Sequence, residues 1–167
     1  FQSMDLMQLC GAVKNLYDDA TAMEQPQEIL VDVIGLGSGV VDRLAEQNLP
    51  VRGVNVAEAP STKKNYLNLR AELWFAVKDW LAQRDCRLPE NDELASELAA
   101  PQYKYTSTGK IKIESKDEMR KRGIKSPDKA DALALTMASS AASFGGSQSY
   151  LGYNFKKPLK SRIFRVG

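Results

Sequence analysis

Three aspartates carry the chemistry open to this sequence. Asp32 interrupts the apolar run Ile29-Leu-Val-Asp-Val-Ile34, and Asp128 and Asp131 stand three apart in Ser126-Pro-Asp-Lys-Ala-Asp-Ala-Leu133. A carboxylate among apolar residues is costly to desolvate unless it is paired or holds a metal. Residues three apart on a helix share a face. Asp128 is accounted for without chemistry, because a carboxylate in a first turn favours the helix dipole. Asp131 lies deeper, between Ala130 and Ala132, with Leu135 one turn on. A strand carboxylate together with a helix carboxylate suits Mg2+ or Mn2+, hard ions that take oxygen ligands and leave positions for water and phosphate. Histidine is absent, which excludes His-based triads and His metal ligands. Cys10 and Cys86 have no metal-type spacing and read as reduced thiols, as in a cytoplasmic protein.

The elements that must position these groups follow from pattern. Ile29–Ile34 reads as a parallel strand covered on both faces. Gly35, Gly37 and Gly39 permit a tight turn with positive φ and close backbone approach, and Val40–Gln47 reads as a helix. Pro50 precedes a second strand, Val51–Val56, so strand, helix and strand imply a parallel pair with a right-handed crossover. Ahead of them, Leu6, Leu9, Cys10, Val13, Tyr17 and Ala20 form a helical stripe within residues 4–22. Ser61 or Thr62 is placed to cap a long helix reaching Arg84, with Trp74 and Trp80 in the core. A short helix carries Leu94 and Leu98, and Pro101 ends it. Residues 102–115 read as a hairpin around Ser107-Thr-Gly109. Tyr103, Tyr105, Ile111 and Ile113 share the face expected to pack, and Lys104, Lys110 and Lys112 share the other. Asp117–Arg122 reads as a short helix stopped by Gly123. Ser126 reads as the N-cap of a last helix, with Pro127 at its first position. That helix is small and apolar, extends to about Ser143, and ends before Gly145-Gly146.

The 167 residues, 43% hydrophobic, suffice for one domain with a real core. Net charge is only +2, but residues 151–167 hold five of the 23 Lys and Arg and no acid. Residues 1–150 therefore carry 18 basic against 21 acidic side chains. Phe1-Gln2-Ser3 reads as a tag remnant, residues 4–145 as the domain and 146–167 as a basic tail. No stretch has the length and apolarity of a membrane span, so no membrane partner is expected.

Val31-Asp-Val-Ile-Gly-Leu-Gly-Ser-Gly-Val-Val-Asp-Arg-Leu44 resembles the second acidic motif of the nuclease domain of phage terminase large subunits. Asn68-Leu-Arg-Ala-Glu72 is similar to a further motif of that family. Lys112-Ile-Glu-Ser-Lys-Asp-Glu-Met-Arg-Lys-Arg-Gly123 and the Asp128/Asp131 segment resemble its terminal motif. The resemblance covers roughly residues 5 to 140. It implies an α/β, ribonuclease H-like core with short parallel strands, packed helices and an added hairpin. By motif, Asp32 is the second catalytic acid and metal ligand, Asp131 the third, and Asp128 an accessory position. Two Mg2+ or Mn2+ ions would serve phosphodiester hydrolysis in double-stranded concatemeric DNA. Lys104, Lys110, Lys112 and Lys116 become candidates for the DNA backbone, Gly37 and Gly39 for a phosphate through their N–H groups, and Glu114 a weaker acidic candidate. Portal protein and the small terminase subunit are implied partners, in the host cytoplasm.

The family's first acid lies on the first of three antiparallel strands, upstream of the helix that begins near Met4, and no such strands are read here. No Gly-x-x-x-x-Gly-Lys-Ser/Thr motif occurs. The expectation is therefore an N-terminally truncated nuclease domain without the ATPase motor, inactive or weak by itself. Its Asp32 strand would have an open edge, covered by the tail or by a second copy. Two alternatives belong to other classes. One is a nucleotide-binding α/β domain using the Gly35–Gly39 turn, with Glu58 as a ribose acid; Val40 in place of a third fingerprint glycine or alanine argues against it. The other is a non-catalytic module whose tail, with Phe155 and Phe164, docks on portal or DNA.

Overall fold

The computed structural model describes residues 4–62, 64–84 and 86–139. Among the described residues, those through Asn55 form one compact unit and those from Val56 to Ser139 a second.

The first unit runs α1 (Leu6–Asp18), β1 (Ile29–Asp32), α2 (Gly37–Glu46) and β2 (Val51–Val54). Asp5 starts α1 through a capping box with Gln8, which satisfies two of the helix's free N–H groups. The helix ends at Asp18, short of the expected Ala22, and its stripe packs as the spacing requires. Cys10 is buried with Val40, Leu44 and Leu49, and Leu6, Leu9, Val13 and Tyr17 lean on that cluster. β1 and β2 pair in parallel, Ile29 opposite Val51 through Asp32 opposite Val54. Both strands are four residues long, shorter than the apolar runs, although Val33 N–H still reaches the Val54 carbonyl. β1 is half-buried and not covered on both faces. Among the described residues it pairs only with β2.

The glycine turn differs from expectation. Only Gly35 takes positive φ, at +75°. Gly37 and Gly39 are ordinary helical residues of α2, which starts three residues before Val40. Gly37 is there because of close approach: a Cβ on it would lie 1.7 Å from the Asp32 carbonyl oxygen.

The second unit holds α3 (Leu69–Ala82), α4 (Asp92–Ala99), β3 (Tyr103–Tyr105), β4 (Ile111–Ile113), α5 (Lys116–Lys121) and α6 (Asp128–Thr136). Helix α3 is its axis. Leu73, Trp74, Val77 and Trp80 are buried on it, with Leu94 of α4, Ile113 of β4, and Ala130 and Ala134 of α6. The two alanines, one turn apart, give α6 a small face against α3. Both tryptophans are core, as expected.

Two caps differ from the reading. Asn68, not Ser61 or Thr62, caps α3, its side chain accepting from Ala71 N–H. Ser61 and Thr62 instead donate to buried Glu72, Ser61 through N–H (2.7 Å) and hydroxyl (2.5 Å), Thr62 through N–H (3.0 Å). A local cap thus lost to a long-range carboxylate. Pro127, not Ser126, occupies the cap position of α6, without a side-chain cap bond. Glu97 of α4 fills that role, accepting from Lys129 N–H at 2.7 Å and Ala130 N–H at 3.0 Å. Helix α6 ends at Thr136, before the expected Ser143; residues beyond 139, including the tail and the Gly145-Gly146 stop, lie outside the described residues.

The hairpin pairs Tyr103 opposite Ile113, Lys104 opposite Lys112 and Tyr105 opposite Ile111, which is consistent with the expected division of faces. Its apolar face packs only in part. Ile113 is buried, but Tyr103 is 54% and Tyr105 66% exposed.

Candidate metal and DNA site

Asp131 is built into the second unit from three sides. It lies in the first turn of α6, which Glu97 anchors. Arg70 opens α3 just after the Asn68 cap, and Trp74 follows four residues later on the same face. Arg70 donates to Asp131 Oδ1 from Nη2 at 3.0 Å and Nε at 3.3 Å, and the Trp74 indole N–H donates to the same oxygen at 2.9 Å. Arg70 is itself fixed: its Nη1 donates to the Glu114 carbonyl at 2.7 Å, and its guanidinium lies 5.8 Å from the Trp74 ring centre. Oδ1 is therefore saturated.

The other oxygen is not. Asp131 Oδ2 is enclosed and accepts no hydrogen bond among the described residues. Its nearest cation is Lys116 Nζ at 3.2 Å, which also lies 3.4 Å from Asp128 Oδ1. Charge attraction without hydrogen-bond geometry leaves the Oδ2 lone pairs unused, which is costly in a dry setting. Asp128 is the more exposed of the pair, at 67% of its side chain against 20%, and takes the Ser126 hydroxyl at 2.6 Å. Two carboxylates with a lysine drawn between them offer the oxygen donors that a hard divalent ion takes. Arg70 and Lys116 offset the charges of Asp128 and Asp131, so further carboxylate charge is needed to favour a doubly charged ion. No cluster of three or more acidic, His or Cys side chains that could hold a metal occurs among the described residues.

Asp32 is in the first unit, at the C-terminal end of β1. It is exposed rather than buried in its apolar run. Its Oδ1 accepts from Ile34 N–H at 3.1 Å, an Asx turn, and α2 begins beside its carbonyl because residue 37 lacks a Cβ. Asp32 thus sits where a strand meets the start of a helix, the usual ligand end of a parallel sheet.

The hairpin lysines are more engaged than spacing suggests. Lys104 and Lys112, opposite one another, both turn to Glu118 of α5, at 2.9 and 3.6 Å. Glu118 is pulled down to about 2 by the Ser115 N–H it accepts from, then by Lys104 and the Ser115 hydroxyl; Lys104 is raised by Glu118 in return. Lys110 makes no ion pair among the described residues, and Lys116 faces the aspartates. Glu114 is committed elsewhere: Arg122 grips it bidentately, Nε to Oε1 at 2.7 Å and Nη2 to Oε2 at 2.6 Å, and Gln102 N–H adds a third bond. Arg122 holds the Glu114 carboxyl below the usual range. That grip ties the hairpin to the end of α5.

The setting of Asp131 among small apolar residues singled it out, but nothing in it named the side chains that hold it. Arg70 and Trp74 were legible only as a motif residue and a core residue; their spacing of four was the one available signal.

Solved structures share this fold. The nuclease domain of the large terminase subunit gp2 of bacterial virus Sf6 superposes with a TM-score of 0.65 at 22% identity, covering 83% of this chain and 74% of that one. The chain has the fold of a phage large-terminase nuclease domain. A point mutant of the Sf6 domain with manganese and beta-thujaplicinol gives a TM-score of 0.68 at the same identity and coverage. A mutant form from bacteriophage Sf6 with calcium gives 0.66 at 22% identity, covering 82% of this chain and 74% of that one. No family model matches the sequence, and no curated protein does. The α/β class with short parallel strands, packed helices and a hairpin that the motifs led us to expect is the one observed, in the fold those structures share. No helix among the described residues is long and apolar enough to cross a membrane.

Proposed function

We propose that this chain is part of a metal-dependent endonuclease of the DNA-packaging terminase type, acting on double-stranded DNA. The observation that carries the reading is the fold, shared with a terminase nuclease domain solved with manganese. Asp131, whose Oδ2 meets only Lys116 among the described residues, and Asp32, at the end of β1, would serve as ligands of Mg2+ or Mn2+, with Asp128 as an accessory carboxylate. Divalent ions bound there supply an activated water for attack on phosphorus and stabilise the leaving 3′ oxygen. Arg70 and Trp74 keep Asp131 in one orientation by occupying Oδ1, so Oδ2 would be the oxygen available to an ion that displaced Lys116. Lys110 and Lys116, with Lys104 and Lys112 when released from Glu118, would meet the phosphate backbone, as would N–H groups at Gly37 and Gly39. Portal protein, the small terminase subunit, a cytoplasmic setting and self-association along the edge of β1 that pairs with no other strand among the described residues belong to the same proposal. The nucleotide-binding alternative gains no support, since close backbone approach to Asp32 accounts for Gly37.

The test is a supercoiled-plasmid nicking assay with and without Mn2+, beside duplex binding across a salt series. Nicking, however slow, should require the metal and disappear in Asp32→Asn and Asp131→Asn, and binding should be sequence-independent and fall steeply with salt. Cutting that ignores the metal or both substitutions would overturn the reading, as would a chain that binds neither Mn2+ nor DNA.

A further inference from the structure

The hairpin's tyrosines are not accounted for by the fold. Tyr103 and Tyr105 are adjacent on one face of β3, both more than half exposed. They continue an aromatic row that starts in the core: Tyr66 to Phe75 at 5.6 Å between ring centres, Phe75 to Tyr103 at 5.3 Å, Tyr103 to Tyr105 at 6.1 Å, the last two edge to face. Tyr66 is 6% exposed and anchors the row. The Tyr103 ring is thus backed by Phe75, and the Tyr105 ring extends the row edge to face into solvent. Lys78 lies 5.5 Å over the Phe75 ring and keeps most of its side chain in water. On the opposite face Lys104 and Lys112 share the single carboxylate of Glu118, and the carboxylate of Glu114 is neutralised by Arg122. The hairpin and its surroundings are therefore aromatic on one side and positively charged in sum. That combination complements a polyanion bearing flat π-faces; an apolar protein partner would gain nothing from the charge.

We infer that Tyr103 and Tyr105 form a stacking surface for unpaired nucleobases. This rests on the DNA reading above and deepens it: the lysines meet phosphate, while the tyrosines meet bases that are out of the duplex at an end or a nick. Ring stacking is tolerant of sequence because every base has a π-face, so the surface adds affinity for open ends without adding sequence preference.

The experiment compares binding of oligothymidylate with that of a duplex closed by hairpin loops at both ends. The wild-type chain should bind both. Tyr105→Ala, at the more exposed ring, should weaken oligothymidylate binding by about fivefold or more, the range for losing one stacked base, and leave closed-duplex affinity unchanged. The salt dependence should stay as in the wild type, because no phosphate contact is removed. Tyr105→Trp should restore binding. Tyr103→Ala should behave like Tyr105→Ala, with circular dichroism confirming an intact fold. Oligothymidylate affinity untouched by both alanine variants, in a chain that still binds closed duplex, overturns the inference and leaves the face to a protein partner. A wild-type chain that binds neither DNA overturns the nuclease reading itself.

Discussion

Gly37 and Gly39 stand two apart in α2, and alanine at each should act with opposite sign. A Cβ on residue 37 would lie 1.7 Å from the Asp32 carbonyl oxygen and 2.7 Å from its carbon, against an ordinary contact of 3.4 Å or more. The obstacle is backbone at the end of β1, so α2 or the strand must move by more than an ångström. Overpacking of this kind costs about 1–3 kcal/mol and sometimes more. The helical gain of alanine over glycine, about 1 kcal/mol, offsets only part of it. Because the obstacle is backbone, the cost falls at the upper end of that range, and Gly37→Ala should destabilise by about 1–2 kcal/mol net. A Cβ on residue 39 meets only the Leu6 Cδ1, at 2.7 Å. That is the tip of a side chain able to change rotamer, so Gly39→Ala should be neutral or stabilising by up to about 1 kcal/mol. Gly11→Ala in α1, with nothing within 4 Å, is the control and should stabilise by about 0.5–1 kcal/mol. Urea unfolding followed by far-UV circular dichroism measures all three through their midpoints at constant slope. Equal midpoints for Gly37→Ala and wild type, or equal losses at 37 and 39, would refute the argument.

Further outcomes follow from the second unit. Glu72→Ala strands the N–H groups of Ser61 and Thr62 and should cost about 2–4 kcal/mol in urea unfolding, since bonds to a charged group are worth about 1.5–3 kcal/mol each and not all of this is lost. Burial pushes the Glu72 carboxyl up, but the bonds from Ser61 and Thr62 outweigh it and hold it below its ordinary range. Its contribution is thus complete above the ordinary carboxylate value and is lost as pH falls through the lowered one; wild type and Glu72→Ala should converge in stability on acidification. Glu118→Gln frees Lys104 and Lys112, so duplex affinity at low salt should rise and the salt slope steepen by up to about two ions; an unchanged slope would show that these lysines do not reach DNA. Trp74→Phe keeps the ring and removes one donor to Asp131 Oδ1. Mn2+ affinity should change while the thermal midpoint moves little, and an unchanged Mn2+ isotherm would count against orientation of Asp131 by the indole.

The parallel pair, the hairpin and the deep aspartate were legible because each rests on local pattern. An apolar run followed by glycines and Pro50 yields β1, α2 and β2, and Ser107-Thr-Gly109 between alternating residues yields the hairpin register. What was not legible depends on partners far along the chain. Ser61 and Thr62 look like caps until Glu72 takes their donors. Ser126 looks like a cap until Glu97, from another helix, receives the first N–H groups of α6. The lysine face looks free until Glu118 folds over it. Tyr103 and Tyr105 have the parity of packed residues, but the neighbouring elements bury Ile113 and leave both tyrosines more than half exposed. Asp131 was found by its setting, whereas Arg70 and Trp74 acquire their role only when α3 and α6 meet.

The proposed metal reading assigns a ligand role to Asp131 and to Asp32. Mn2+ binding, read from the electron paramagnetic resonance of the free ion, tests it most directly. Asp32→Asn and Asp131→Asn should each weaken binding by about an order of magnitude or more, with the fold intact by circular dichroism. Mn2+ binding that survives both substitutions unchanged would contradict the reading.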